Sequence, residues 1–197
     1  MMVTQDEAAS AEAARADASA ASEVMDPAPE ADKRGAEPDP RDAARQIVLR
    51  QLAMAPRSRA ELAQKLAQRG CTAEVADAVL DRMTQVGLVD DEAYAHMLVR
   101  TQQAGRGLAR RALARELRTK GIEGELADEA LSSITDEDER DRARALVDKK
   151  LRAMHGLGLE VQTRRLAGML ARKGYSPSLS YAVIREAVAE APEHLPD

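Results

Sequence analysis

A twelve-residue pattern occurs three times in this chain, and each copy ends in a glycine. The copies are 59–70, 110–121 and 163–174, and their glycines lie 51 and 53 residues apart. Leucines stand eight and four residues before each glycine, a basic residue stands directly before it, and an apolar residue directly follows it. Further apolar residues lie five and ten positions after the glycine. Six matching offsets in three copies indicate a tandem array of similar structural units.

Each part of the pattern has a helical explanation. Leucines four residues apart share one helix face, and a glycine after a basic last turn is the usual left-handed helix end. Ser58 and Glu61 have the spacing of a capping box. Ser176 and Pro177 fit the N-cap and first position of the next helix. The pattern therefore predicts a helix before each glycine and another after it.

A further helix is predicted before each copy, at about 42–54, 91–103 and 136–153. Ala and Leu supply most of the apolar residues, and no segment has the pattern of a strand. We predict an all-α protein of three tandem three-helix repeats, each helix-turn-helix-like, that lean on one another in an extended row. The predicted repeats are 41–87, 88–135 and 136–190, followed by a C-terminal tail of residues 191–197.

The N-terminal forty residues differ from the rest. Residues 1–40 hold ten acidic and three basic residues, are rich in Ala and Pro, and contain no Leu, Ile or aromatic residue. Such a composition cannot bury enough apolar surface to order itself, so it predicts a disordered acidic tail. The segment lacks the apolar core of a secretory signal, and no apolar run reaches membrane-spanning length. We expect a soluble, cytoplasmic protein with no membrane association.

Basic residues concentrate in the middle repeat, where Glu116 is the single acid between positions 100 and 120. The candidate binding residues are Arg100, Arg106, Arg110, Arg111, Arg115, Arg118 and Lys120. Arg111, Arg115 and Arg118 follow a spacing that places them on one solvent-facing side of the helix. The aligned positions are Ala60, Gln64 and Ala67 in the first repeat, and Arg164, Gly168 and Ala171 in the third. This contrast favours a surface for phosphate backbones over an ordinary solvated helix face.

The segment Gly105-Arg106-Gly107 is predicted to be a loop at the head of this helix, with Arg106 beside free backbone N–H groups. With no Trp, no Phe and only three Tyr, the chain is expected to lack a ring platform for stacking bases. DNA contact should therefore be weak, backbone-directed and not sequence-specific. A second basic run at 140–152 alternates with acids, and we interpret it as an ion-paired helix surface.

The sequence provides no catalytic constellation, so we predict no enzyme, no metal site and no cofactor. His96, His155 and His194 are far apart and form no ligand pair. The acidic clusters 90–92 and 136–139 fall at predicted helix starts, where carboxylates are favoured in any case. Cys71 aligns with apolar residues and is interpreted as a small buried side chain, and Tyr94 is interpreted as core.

These residues resemble the RecX family, the bacterial regulators of the RecA recombinase, over about residues 41–188. The resemblance depends on Ser58-Arg-Ala-Glu-Leu with Gly70, on Gly87-Leu-Val-Asp-Asp-Glu-Ala-Tyr94, and above all on Arg100…Gly105-x-Gly107…Arg111…Glu116-Leu-Arg-x-Lys-Gly-Ile122. The third repeat contributes Leu170-Ala-Arg-Lys-Gly-Tyr-Ser176. It implies three three-helix repeats in a curved, elongated, non-enzymatic molecule. The acidic tail lies outside the family core.

The resemblance also implies binding in the helical groove of the RecA–DNA filament. Such binding would limit growth of the filament and lower its ATPase, strand-exchange and coprotease activities. DNA repair and the SOS response would be modulated as a result. We expect the protein to act as a monomer, with its basic stretch near DNA phosphates or acidic recombinase surfaces. The alternative is a stand-alone DNA-binding regulator of the helix-turn-helix type, which would prefer particular duplex sequences and bind as a dimer.

Overall fold

The computed structural model describes residues 39–190, and every regular element in that range is a helix. The helices are α1 Pro40–Met54, α2 Arg59–Gln68, α3 Ala73–Gln85, α4 Asp91–Arg106, α5 Arg110–Thr119, α6 Glu125–Ser132, α7 Asp136–Leu151, α8 Leu159–Lys173 and α9 Pro177–Ala189. One short 3-10 helix, Arg152–Met154, follows α7. The predicted acidic tail, apart from its last two residues, and the predicted C-terminal tail lie outside the described residues.

Three separate hydrophobic cores confirm the predicted all-α repeat architecture. Helices α1–α3 enclose one core, α4–α6 a second and α7–α9 a third. The two leucines of each repeated pattern are at the centre of these cores, and none is more than 1% exposed: Leu62, Leu66, Leu113, Leu117, Leu166 and Leu170. Each repeat therefore buries its own apolar face, which identifies the repeat as the structural unit.

The predicted helix ends are also confirmed. The pattern glycines Gly70, Gly121 and Gly174 have φ of 80°, 73° and 91°. The N–H of the residue after each glycine donates to the carbonyl of the second leucine, at 3.0–3.2 Å. Ser58 and Glu61 form the predicted capping box, and Ser176 caps α9 with Pro177 at its first position.

One local prediction is wrong. Gly105 and Arg106 belong to the last turn of α4 and do not form a loop at the head of α5. Gly107 ends α4 in the left-handed conformation, with φ 61°. Arg106 therefore lies at a helix C-terminus, where a cation is favoured and carbonyl groups rather than N–H groups are exposed. The sequence signal was ambiguous because a glycine can end a helix or begin a loop.

Several interpretations of single residues agree with the structure. Tyr94 is buried in the core of the second repeat, and Cys71 is half-buried against the core of the first. In the second basic run, Arg140 pairs with Glu186 at 2.7 Å, and Arg144 pairs with Asp148 at 2.9 Å and Glu190 at 2.5 Å. No helix in residues 39–190 is both long enough and apolar enough to cross a membrane.

Candidate nucleic-acid interface

Helix α5 is amphipathic, with leucines on one side and arginines on the other. Leu113 and Leu117 are completely buried against α4 and α6. On the other side Arg111, Arg115 and Arg118 are all exposed, as their spacing predicts. We call these three residues the α5 stripe. The stripe presents three guanidinium groups on a backbone that is anchored by two core leucines.

The α5 stripe is almost free of counter-charges. Arg111 and Arg115 form no ion pair or side-chain hydrogen bond with residues 39–190, and the same is true of Arg100 on α4. Arg118 lies 3.7 Å from Glu123, but both side chains are about two-thirds exposed. An ion pair this open to water contributes little stability, so it leaves Arg118 able to exchange Glu123 for a phosphate.

Arg106 has a different role from the stripe residues. Its guanidinium donates to Glu116 at 2.9 Å and to Gln102 at 3.2 Å. Glu116 is the only acid on α5, and Arg106 neutralises it from the end of α4. This contact offsets the negative charge of Glu116, so the exposed Glu123 beside Arg118 is the acid that still opposes the positive potential of the stripe.

The Lys120 side chain and the Arg110 backbone, at the two ends of α5, form contacts between repeats. The Arg110 guanidinium donates to the carbonyl of Ile134 within the second repeat, whereas its backbone N–H donates to Glu139 of the third repeat. Lys120 Nζ lies 2.6 Å from Oε1 of Glu61 in the first repeat. Of the seven candidate residues, only Lys120 therefore uses its charged group in a contact between repeats, and the other six, Arg110 included, are exposed.

A joint between the second and third repeats fixes the start of α5. Ala109, which precedes the helix, makes no side-chain cap of its own. The backbone N–H of Ala109 donates to the carbonyl of Lys173 at 2.9 Å. The backbone N–H of Arg110 donates to Oε1 of Glu139 at 2.6 Å. A carboxylate of the following repeat thus supplies the cap that the local sequence lacks.

The joint between the first and second repeats has the same arrangement, formed by residues at aligned positions. Ser58 Oγ donates to the carbonyl of Lys120 at 2.6 Å, as Ala109 N–H does to Lys173. The backbone N–H of Arg59 donates to Oδ1 of Asp91 at 2.8 Å, as Arg110 does to Glu139. The acidic clusters at the starts of α4 and α7 therefore cap their own helices and also the second helix of the preceding repeat.

Close packing of the pattern glycines completes both joints. A β-carbon on Gly121 would lie 2.3 Å from the β-carbon of Ala60. One on Gly174 would lie 2.7 Å from both the β-carbon and the backbone nitrogen of Ala112. The Lys-Gly turns of the second and third repeats thus pack directly on the first turn of the second helix in the repeat before each of them. These contacts hold α5 at both ends.

Glu61 is the centre of the first joint. Its carboxylate accepts hydrogen bonds from Lys120 at 2.6 Å, from the Tyr94 hydroxyl at 3.1 Å and from the backbone of Ser58 at 3.3 Å. Burial raises the pKa of Glu61, but the bonds from Lys120, Ser58 and Tyr94 outweigh it and leave the pKa below its ordinary value. Burial, followed by the nearby Glu61 charge, raises the pKa of Tyr94 to about 12.

The first turn of α5 is electrostatically unfavourable to the helix itself. Arg110 and Arg111 lie at its N-terminus, and no acid lies in that turn. Cations at this end of a helix oppose the macrodipole. Arg111 therefore gains no stabilisation from the helix dipole at this position.

One aromatic side chain, Tyr181, is exposed in residues 39–190. Tyr181 on α9 is 62% exposed, but a single ring is not a platform on which successive bases stack. Tyr94 and Tyr175 are buried, and α5 contains no aromatic residue. The sequence could have flagged Tyr181 because it lies outside the repeated apolar offsets. The ring belongs to the third repeat and is not part of the α5 stripe.

Comparison with known proteins identifies the family. Sequence profiles of the first, second and third three-helix domains of RecX match residues 44–83, 90–131 and 136–184. The chain belongs to the RecX family. The regulatory protein RecX of Streptomyces coelicolor is 51% identical over 81% of this chain and 86% of its own length. The regulatory protein RecX of Thermobifida fusca is 48% identical over 73% of this chain and 77% of its own length.

Solved RecX structures share this fold. The crystal structure of RecX from Lactobacillus salivarius has a TM-score of 0.67, with 21% identity over 76% of this chain and 97% of that chain. A second crystal structure of a regulatory protein RecX has a TM-score of 0.66, with 26% identity over 75% of this chain and 72% of that chain. The relatives carry the name of a regulatory protein, so the RecX family assigns this chain a regulatory role.

Proposed function

We propose that this protein regulates the RecA recombinase, mainly as an inhibitor. It lies in the helical groove of the RecA–DNA filament, limits filament growth and lowers the ATPase, strand-exchange and coprotease activities. DNA repair and the SOS response are modulated in consequence. The protein acts in the cytoplasm as a monomer, and it needs no cofactor, metal or chemistry of its own.

The observation that carries this proposal is the α5 stripe on a RecX-family repeat. Arg111, Arg115 and Arg118 are exposed together and have almost no counter-charge. Guanidinium groups arranged in this way suit phosphate oxygens, which they bind through paired N–H donors. Arg100 extends the basic surface onto α4, and Arg106 supports that surface by pairing with Glu116. Because the contacts are to the backbone, binding to DNA alone is weak and indifferent to sequence.

Inhibition follows from occupancy. A row of repeats lying along the filament groove covers the surface on which the next recombinase monomer would assemble. The stripe then holds the chain near DNA phosphates, while protein contacts supply most of the affinity. The two joints keep α5 anchored at both ends, so its three arginines reach the filament as a fixed set.

The test is the single-strand-DNA-dependent ATPase rate of the cognate RecA, titrated with this protein. We expect inhibition well below one molecule per recombinase monomer, because capping a growing filament stops many additions. An unchanged ATPase rate at excess protein would contradict the proposal. Tight binding to one preferred duplex sequence would instead favour the helix-turn-helix regulator.

A further inference from the structure

A second surface, in the first repeat, combines exposed apolar side chains with unpaired arginines. A groove of about 440 Å³ runs between α1 and α3, with Val79 and Met83 in its lining. Leu49, Val86 and Leu88 also line it and are 39%, 49% and 51% exposed. They are three of the seven large hydrophobic side chains that are exposed in residues 39–190. We call this surface the repeat-1 groove.

Arginines line the repeat-1 groove. Arg41, Arg45 and Arg82 contribute to its lining, against the single acid Asp42. None of the three forms an ion pair within residues 39–190, although Arg82 has a weak contact of 3.5 Å with Gln85. Elsewhere in the first repeat Arg57 and Arg59 pair with acids. Arg50 and Arg69 form no ion pair within residues 39–190 either, but they do not line the groove. The groove is therefore the place in the first repeat where three arginines without ion pairs line one surface.

The spacing of these residues gives the groove its pattern. On α1, Arg41, Arg45 and Leu49 are four residues apart and share one helix face. On α3, the same spacing joins Ala78 and Arg82 to Val86 at the end of the helix. Each wall therefore carries arginine and, one turn later, an exposed apolar side chain. A partner must satisfy both, with an apolar stripe for the groove and carboxylates for the arginines.

We propose that the repeat-1 groove binds an acidic amphipathic helix on the surface of the recombinase. This inference rests on the proposed function and adds the protein contact that the α5 stripe does not supply. The apolar stripe of such a helix covers Leu49, Val86 and Leu88, and its acids pair with Arg41, Arg45 and Arg82. A DNA backbone satisfies the arginines but leaves the apolar side chains exposed to water. The groove therefore selects protein, and the stripe selects phosphate.

Two binding measurements separate the groove from the stripe. We would compare wild type with Arg45→Gln/Arg82→Gln and with Leu88→Ser for binding to RecA filaments on single-stranded DNA, and to the same DNA without RecA. We expect each variant to bind the filament about tenfold more weakly, as for loss of a central interface contact. Binding to naked DNA should change less than about threefold, because the stripe is intact.

Leu159→Ser is the matched control, since Leu159 is a similarly exposed leucine, 52%, in the third repeat. It should bind the filament as wild type does, and circular dichroism should show that all variants are folded. Wild-type-like filament binding by the groove variants would overturn the groove proposal alone. Failure of the wild type to bind filaments would overturn the proposed function as well, so the two failures are distinguishable.

A photo-crosslink identifies the occupant directly. Benzoylphenylalanine in place of Leu88 would be irradiated on the filament, and the adduct mapped by mass spectrometry. An adduct on a recombinase helix that carries Asp or Glu beside apolar residues supports the proposal. An adduct on DNA, on a second copy of this chain, or on residues 1–38 of the same chain overturns it.

Discussion

At Gly174 two independent constraints exclude a side chain. The residue has φ 91°, and an added β-carbon would meet Ala112 at 2.7 Å. Gly70 occupies the same position in the first repeat with φ 80°, but nothing described lies within 4 Å of its added β-carbon. The two residues therefore separate backbone strain from packing in one protein.

Gly70→Ala should lower the free energy of unfolding by about 1–2 kcal/mol, the cost of a left-handed alanine. Gly174→Ala should cost at least about 1 kcal/mol more, because it also forces the second joint apart. Urea denaturation of both variants measures the difference. Equal losses would mean that the joint tolerates the added carbon, and that the glycine is required for its backbone conformation alone.

Glu61 makes the first joint sensitive to pH. Its pKa is lowered in the folded state, so its ionised form stabilises the protein above the unfolded pKa of about 4.3. That contribution is lost as the pH falls through the lower folded value. Glu61→Gln should cost on the order of 1.5–3 kcal/mol at pH 7, the range for hydrogen bonds to a charged group.

The pH dependence of stability distinguishes a contribution from the negative charge of Glu61 from one that depends only on the size and packing of its side chain. The difference in unfolding free energy between wild type and Glu61→Gln should shrink as the pH is lowered below about 4.3, because the unfolded chain then binds a proton at Glu61 more readily than the folded protein does. Denaturation at several pH values measures it. A difference that stays constant with pH would show that the ionised form makes no contribution.

At the scale of the element, α5 has a buried leucine face and an exposed arginine face, and the proposed function assigns stability to the first and binding to the second. Leu117 is completely buried, and Leu117→Ala should cost about 2–5 kcal/mol by leaving a cavity in the second core. Arg111→Ala/Arg115→Ala/Arg118→Ala should change stability by only about 0.5 kcal/mol for each exposed substitution. Removing Arg111 also relieves an unfavourable charge at the helix N-terminus. Thermal unfolding compares the two variants.

The triple arginine variant should lose most of its inhibition of the RecA ATPase while remaining folded. Arg164→Ala/Arg165→Ala/Arg172→Ala is the matched control, since it removes three exposed arginines from α8, the equivalent helix of the third repeat. The control should inhibit as wild type does. If both variants lose inhibition equally, total charge matters and the position of the stripe does not.

At the scale of the whole molecule, charge is unevenly distributed. The chain has a net charge of -5, yet residues 1–40 carry ten acids against three bases, and the remainder holds 26 bases against 24 acids. Overall charge therefore opposes binding to a polyanion, and only the local field of the stripe favours it. This balance is the reason to expect weak, salt-sensitive contact with DNA and a larger contribution from protein.

The salt dependence of binding to single-stranded DNA measures how many phosphates the arginines of the α5 stripe neutralise, if the proposed function is correct. Each phosphate neutralised adds about 0.7 to the slope of log affinity against log salt, so the triple arginine variant should have a slope lower by about 2. Fluorescence anisotropy at several salt concentrations measures both slopes. An unchanged slope would place the three arginines away from the phosphates.

Much of the fold was predictable from the sequence because the same helical pattern occurs in it three times. The leucine spacing, the capping box at Ser58 and the helix-ending glycines are local signals, and local backbone energetics decides them. The turn at Gly105-Arg106 was misassigned because a glycine permits both outcomes and packing chose the helix. The repeat boundaries at 87 and 135 and the DNA role of the seven basic residues stay predictions.

The sequence by itself determined the three helical units, their buried leucines and the exposed arginines of α5, since periodicity alone sorts a helix into faces. The tertiary structure alone decided that Arg110 and Lys120 belong to joints, that Glu139 caps α5, and that α1 and α3 leave an arginine-lined groove. Those facts join residues 29 to 62 positions apart in the chain. Such contacts depend on how finished helices pack, and no local pattern encodes that.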